Sequence, residues 1–245
     1  MQNFSQHQSC EWKTQLEKIS STSENYFSKV HEVREESLKL SREIIRNSAI
    51  SIRASHRSQF DQAKSYLIKS EQKLRIIIDI CHETPEIHHS RFIQDAQKEY
   101  VEASLTLAFL TNSSLPELGN LSINPAAYLN GLSESVGELR RFILDQLRQK
   151  VSLDYEQLLV LMDDIYTLLA AIDYPDAITN NLRRNTDIAR SIMEKTRGDL
   201  TAASINQTLS SPAFIDQHHD WLQILPYDNL IVGLSPYGRD FFNDF

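Results

Sequence analysis

Four glutamates sit in two helix-length segments of this 245-residue chain, at spacings that can bring carboxylates together. In the run Lys98-Glu99-Tyr100-Val101-Glu102-Ala103-Ser104-Leu105-Thr106-Leu107-Ala108-Phe109-Leu110, Glu102 is the only charge from Tyr100 onward. A helix that is apolar on nearly every face is a buried helix. A carboxylate inside it is costly unless it is paired or holds a metal ion. Glu99 lies three residues before Glu102 and Asp95 seven before, on the same helical face. Acids gathered there repel one another. A divalent cation relieves that repulsion, and so does a lysine or arginine from another helix. The residues alone leave both readings open.

Glu134 and Glu138 form an i, i+4 pair beside the apolar stripe Leu129, Leu132, Val136, Leu139 and Ile143. The simplest reading is a solvated face. Gly131 and Gly137 argue against it, because a glycine inside a helix costs about 1 kcal/mol relative to alanine. It is usually kept where another backbone or a ligand comes close. Arg42, Arg46, Arg53 and Arg57 fall at i, i+4, i+11 and i+15, one helical stripe, with no acid between Ile44 and Phe60. Guanidinium groups in such a row can grip successive phosphates. A solvated or salt-bridged face explains them equally well. Ser48, Ser51 and Ser55 run nearby. Arg183, Arg184, Arg190 and Arg197 are expected to make internal salt bridges for the most part, and Gly198 reads as a helix end.

Familiar catalytic signatures are missing. The chain has no glycine-rich phosphate loop, no G-x-S-x-G elbow and no H-E-x-x-H. Neighbouring residues on a helix diverge by about 100°, so the adjacent pairs His88-His89 and His218-His219 make poor metal sites. Cys10 and Cys81 can build neither a disulfide framework nor a zinc knuckle.

Helices must position these groups. The chain has 6 glycines and 7 prolines, where about 7% glycine, or roughly 17, is usual. Long helices with few loops follow. From 10 to 57 neither residue occurs, and Val30, Val33, Ser37, Leu40 and Ile44 keep a heptad-like spacing. The pattern predicts helices over about 10–57, 59–82, 86–111, 125–149, 153–172 and 175–202, with a loop at 111–125. No segment alternates like a strand. The expected fold is an all-α bundle of six to seven helices without a sheet.

The chain divides into a helical domain, 10–203, and a tail, 204–245, rich in proline, glycine and aromatics. Five aspartates against Arg239 put half of the net charge of −8 in that tail. An overall basic footprint is absent, so any nucleic-acid contact must come from a local stripe. No apolar run approaches the ~18 residues of a membrane span, and the first residues lack a signal-peptide pattern. The expected compartment is the reducing cytoplasm.

Taken together, Leu40-Ser41-Arg42-Glu43-Ile44 with His56-Arg57, Glu99-Tyr100-Val101-Glu102-Ala103, Tyr128-Leu129-x-Gly131-Leu132 and Gly137-Glu138-Leu139 resemble the translin family across roughly residues 20–203. Within that family the E-x-x-E pair is closer to translin-associated factor X than to translin. The resemblance implies a helical bundle that assembles into a hollow octamer, here of one chain type. It also implies a metal-dependent endoribonuclease acting on single-stranded RNA inside the shell. The family's catalytic and metal-binding carboxylates carry over onto Glu99, Glu102, Glu134 and Glu138. At 134 the eukaryotic catalytic subunit has aspartate, one methylene shorter. The implied ion is Mg²⁺, with Mn²⁺ as a substitute, and Arg42, Arg46, Arg53 and Arg57 become the RNA-binding stripe. The competing expectation is an oligomer that binds single-stranded RNA or DNA without turnover, as translin does. Four carboxylates beside phosphates serve pure binding poorly. A purely structural helical assembly would need neither the acidic cluster nor the basic stripe.

Overall fold

The computed structural model describes residues 6–209 except 118, 150, 152 and 153. Among these residues eight helices and one 3₁₀ turn follow in order. They are α1 (Gln6–His56), α2 (Phe60–Ile80), α3 (Pro85–His88), α4 (Arg91–Thr111), the turn Gly119–Leu121, α5 (Pro125–Arg148), α6 (Tyr155–Ala170), α7 (Asp176–Thr179) and α8 (Leu182–Leu209). No strand occurs among the described residues, and no described helix is long and apolar enough to cross a membrane. The expected all-α bundle is the fold observed.

Two predicted helices are each split in two. The one expected over 86–111 breaks at Ser90, whose extended backbone (φ −67°, ψ 148°) starts α4 afresh after the single turn of α3. The one expected over 175–202 breaks at Asn180 and Asn181, both left-handed (φ 52° and 66°). Asparagine is among the few residues that tolerate that conformation. At the other end α8 runs on to Leu209, so Gly198 lies inside a helix rather than at its end. The first residues of the expected tail, 204–209, are therefore helical. The rest of that tail, 210–245, lies outside the described residues, and so does His218-His219.

Helix α1 pairs with α2 and α4, α4 packs on α5, and α5 packs on α6 and α8. The heptad-like stripe is the packed edge of α1. Leu40, Ile44 and Ser37 are buried there, and Val30 and Val33 are half-buried. Residues 11–29 of the same helix are exposed apart from half-buried Ser23. Ser41, Ser48, Ser51 and Ser55 also point inward and are buried. Ser51 Oγ donates to Ala63 O at 3.0 Å, across the α1–α2 seam. Arg42, Arg46, Arg53 and Arg57 lie exposed on the opposite side of the helix.

The tightest seam is between α4 and α5. A Cβ placed on Gly131 would lie 2.8 Å from Lys98 O and 3.0 Å from Val101 Cβ. Both obstacles belong to the frame of α4, one backbone and one a side-chain root, so neither can swing away. Gly137 faces only Ile192 Cδ1 at 3.8 Å, and Gly198 faces nothing within 4 Å. The close approach inferred from both α5 glycines is therefore real at Gly131 and absent at Gly137.

This contrast sets opposite signs for one chemical change. Gly131→Ala should destabilise the fold by about 1–2 kcal/mol, overpacking outweighing the gain in helix propensity. Gly198→Ala should stabilise it by about 0.5–1 kcal/mol. Paired urea melts of the two variants measure both.

Candidate metal centre

The Gly131 contact brings the acidic residues of α4 and α5 face to face. Glu134 follows Gly131 by three residues, nearly one turn. Glu99, Glu102 and Glu134 each present one carboxylate oxygen, and these oxygens lie within 4.8 Å of one another. Oxygens on opposite sides of a Mg²⁺ ion with ~2.1 Å bonds are about 4.2 Å apart. The cluster thus needs only small adjustments to hold such an ion, and an all-oxygen donor set suits Mg²⁺ or Mn²⁺.

Glu102 is the least comfortable member. Most of α4 around it is buried, including Val101, Ala103, Leu105 and Thr106. Among the described residues no hydrogen bond or ion pair reaches its carboxylate. Burial, then the charges of Glu134, Glu99 and Glu138, push its carboxyl up to about 8, with Lys98 opposing. The cation expected from another helix is instead Lys98, on α4 itself. Its Nζ lies 2.7 Å from Glu134 Oε2 and 3.3 Å from Glu99 Oε1. Burial disfavours its charge, but the hydrogen bond and charge of Glu134, followed by Glu99, outweigh that and hold the ammonium above its ordinary range. Lys98 precedes Glu102 by four residues, but its ammonium goes to Glu134 and Glu99 rather than along that i, i+4 spacing.

Glu138 is not in the three-oxygen group. It accepts a hydrogen bond from buried His56 on α1, and Arg141 Nη1 lies 3.6 Å away. Burial raises its carboxyl, but His56 and then Arg141 outweigh burial and hold it below the usual carboxylate range. Nδ1 of His56 is buried without a partner among the described residues. His56 entered the sequence reading only as part of a motif, and its contact joins residues 82 positions apart.

Two cavities flank the cluster. One, of about 210 Å³, is lined by Arg91, Asp95, Lys98, Glu134, Arg184 and Asn185 among others. Asp95, expected on the acidic face, thus belongs to this cavity and not to the three-oxygen group. The other, of about 320 Å³, lies beside Glu102, Glu134 and Asn185. A relay fixes Asn185. Asn130 Nδ2 donates to Ala126 O and Thr179 O, so its Oδ1 is left to accept from Asn185 Nδ2 at 2.7 Å. Asn130 lies on α5, while Thr179 and Asn185 flank the α7–α8 junction, which the sequence pattern ran through as one helix.

The arginines divide. Arg42, Arg46, Arg53 and Arg57 are exposed and make no ion pair among the described residues. On α8, Arg183 pairs with Asp173 at 2.5 Å, and Arg197 lies near Asp163 and Glu194. Arg190 sits 5.9 Å over the Tyr166 ring, and Arg184 lines the first cavity. Two of these four make the salt bridges expected of most.

Between pH about 4.5 and about 8 the folded chain keeps a proton on Glu102 that the unfolded chain has lost. Metal-free stability therefore falls as pH rises through that window. Glu102→Gln should flatten the decline and raise Tm at pH 8 by at least about 2–4 °C, the shift that 1 kcal/mol produces in a domain of this size. Thermal melts from pH 5 to pH 8 in EDTA test this. A carboxylate that needed a buried cationic partner would show the opposite, a large loss on substitution.

No family model matches the chain. An uncharacterized protein of Methanocaldococcus jannaschii is 35% identical over 178 residues, 72% of this chain and 78% of the relative. The solved AfC3PO–duplex RNA complex matches with a TM-score of 0.72 and 31% identity, covering 78% of this chain and 98% of that one. The crystal structure of AfC3PO gives 0.69 and 31%, over 76% and 96% of the two chains. Apo-NeC3PO, at 21% identity and a TM-score of 0.64 over 74% and 94%, shares the fold. With this all-helical fold and 31% identity over 98% of the solved AfC3PO chain, the chain belongs to the translin family, the family of the C3PO proteins.

Proposed function

We propose that this protein is a metal-dependent endoribonuclease acting on single-stranded RNA inside a hollow homo-oligomer, an octamer. On this reading it stands closer to translin-associated factor X than to translin. The observation that carries the proposal is the group of three converging carboxylates, one of them half-buried and without a partner among the described residues. Like charges gathered at a half-buried seam repel one another, Lys98 answers only two of the three, and a divalent cation relieves the rest. The AfC3PO structure that the chain resembles holds duplex RNA, which supports RNA as the class of ligand.

Glu99, Glu102 and Glu134 would hold Mg²⁺, or Mn²⁺ in its place. Glu138 would complete the set of four from the His56 side. Bound there, the ion supplies a lowered water pKa and a positive charge beside the scissile phosphate. One carboxylate oxygen takes the proton of the attacking water. Arg42, Arg46, Arg53 and Arg57, exposed and free of ion pairs among the described residues, hold the strand by its phosphates. The net charge of −8 is compatible with this, because the basic groups are needed only along one stripe.

The Lys98 bridge favours a second reading. An ammonium already seated on Glu99 and Glu134 suits a shell that binds single-stranded RNA or DNA without cutting it. A cleavage assay separates the two. Labelled single-stranded RNA should be cut with Mg²⁺ and left intact with EDTA. Glu102→Gln should abolish cutting while RNA binding holds or tightens. Light scattering on the same preparation should give a mass several times that of one 28.2 kDa chain. A folded Glu102→Gln oligomer cutting at the wild-type rate would remove Glu102 from the chemistry.

The stripe has its own test. Replacing Arg46, Arg53 and Arg57 together with alanine should weaken RNA binding and flatten its salt dependence by up to about 0.7 per lost phosphate contact. Binding isotherms across a salt series measure the slope, and an unchanged slope would assign RNA binding elsewhere.

A further inference from the structure

Lys98 already holds two of the three carboxylates that would bind a metal ion. Its Nζ contacts Glu134 at 2.7 Å and Glu99 at 3.3 Å, and both residues belong to the three-oxygen group. Its backbone is fixed, because Lys98 O lies against Gly131. Its side chain is not fixed in the same way. A lysine is a compact charge on a flexible four-carbon stem, and this one also lines the open cavity of about 210 Å³ beside the cluster. Asp95, one helical turn earlier and without an ion pair among the described residues, lines that cavity too. A second place for the ammonium therefore exists within reach, with a carboxylate to receive it.

The electrostatics require some such exchange. One ammonium leaves three carboxylates underneutralised. A divalent ion and an ammonium together among the same oxygens would repel each other at close range. We propose that Lys98 is an exchangeable counter-ion of the metal centre. Its ammonium bridges Glu99 and Glu134 until a divalent cation enters, and then turns into the adjoining cavity toward Asp95. The proposal rests on the metal-centre reading above and adds what controls loading. The ion must displace a resident charge, so Lys98 sets the metal concentration at which the centre fills. It also holds α4 and α5 together while the centre is empty.

The test uses the full chain in metal-free buffer. Mn²⁺ binding is followed by the EPR signal of the free ion for wild type, Lys98→Gln and Lys98→Met. Both variants should bind Mn²⁺ about tenfold more tightly, a coupling of ordinary size between two ligands of one site. In wild type, an amine-acylating reagent read out by peptide mass spectrometry should modify Lys98 faster once Mg²⁺ is added. Exposed Lys18 and Lys64 should react at unchanged rates. The labelling needs no variant, so it decides the matter even if both substitutions prevent folding. Equal Mn²⁺ affinity in folded wild type and variants, or an unchanged Lys98 rate while Mn²⁺ binds, overturns the exchange and leaves the metal centre standing. Failure of all three proteins to bind Mn²⁺ overturns the metal centre and the exchange with it.

Discussion

The approach of α5 to α4 at Gly131 fixes the distance on which everything at the site depends. With no Cβ there, the α5 backbone settles against Lys98 O and Val101, and nearly one turn later Glu134 meets Glu99 and Glu102. A methyl group at this point would push the helices apart at the one level where carboxylates have to meet. The same contact immobilises the backbone of Lys98 while leaving its side chain to answer the charges beside it. Packing and electrostatics therefore share a residue.

That closeness creates a conflict. Three carboxylates converge, and burial together with the charges beside it pushes the Glu102 carboxyl up to about 8. Lys98 answers two of the three and His56 with Arg141 answers Glu138, so Glu102 is the one left without a partner among the described residues. Local charge conflict maintained by good packing is what binding and catalytic sites show.

The long first helix serves the site from a distance. Its inward serines let α2 lie close, its apolar edge anchors α4, and its last turn delivers His56 to Glu138. The opposite face is left for arginines. One helix thus presents a packing surface, a partner for an acidic residue and a basic stripe. This is possible because 3.6 residues per turn separate the three sets around the axis.

Much of this was legible in the chain itself. Scarce glycine, few prolines and unbroken helical periods determined the bundle and placed α1, α2, α5 and α6 within a few residues of their observed ends, because burial of an apolar stripe is written into residue order. Glu102 in its apolar run and Gly131 within a helix were visible for the same reason: each breaks a local rule. The breaks at Ser90 and at Asn180-Asn181 were not, since they depend on single backbone conformations that periodicity averages over. Tertiary structure alone decided which charges pair. Glu138 goes to His56, Lys98 bridges two helices, and Asp95 turns to a cavity, because pairing depends on distances between side chains far apart in sequence. Residue spacing on one helix carries no information about those distances.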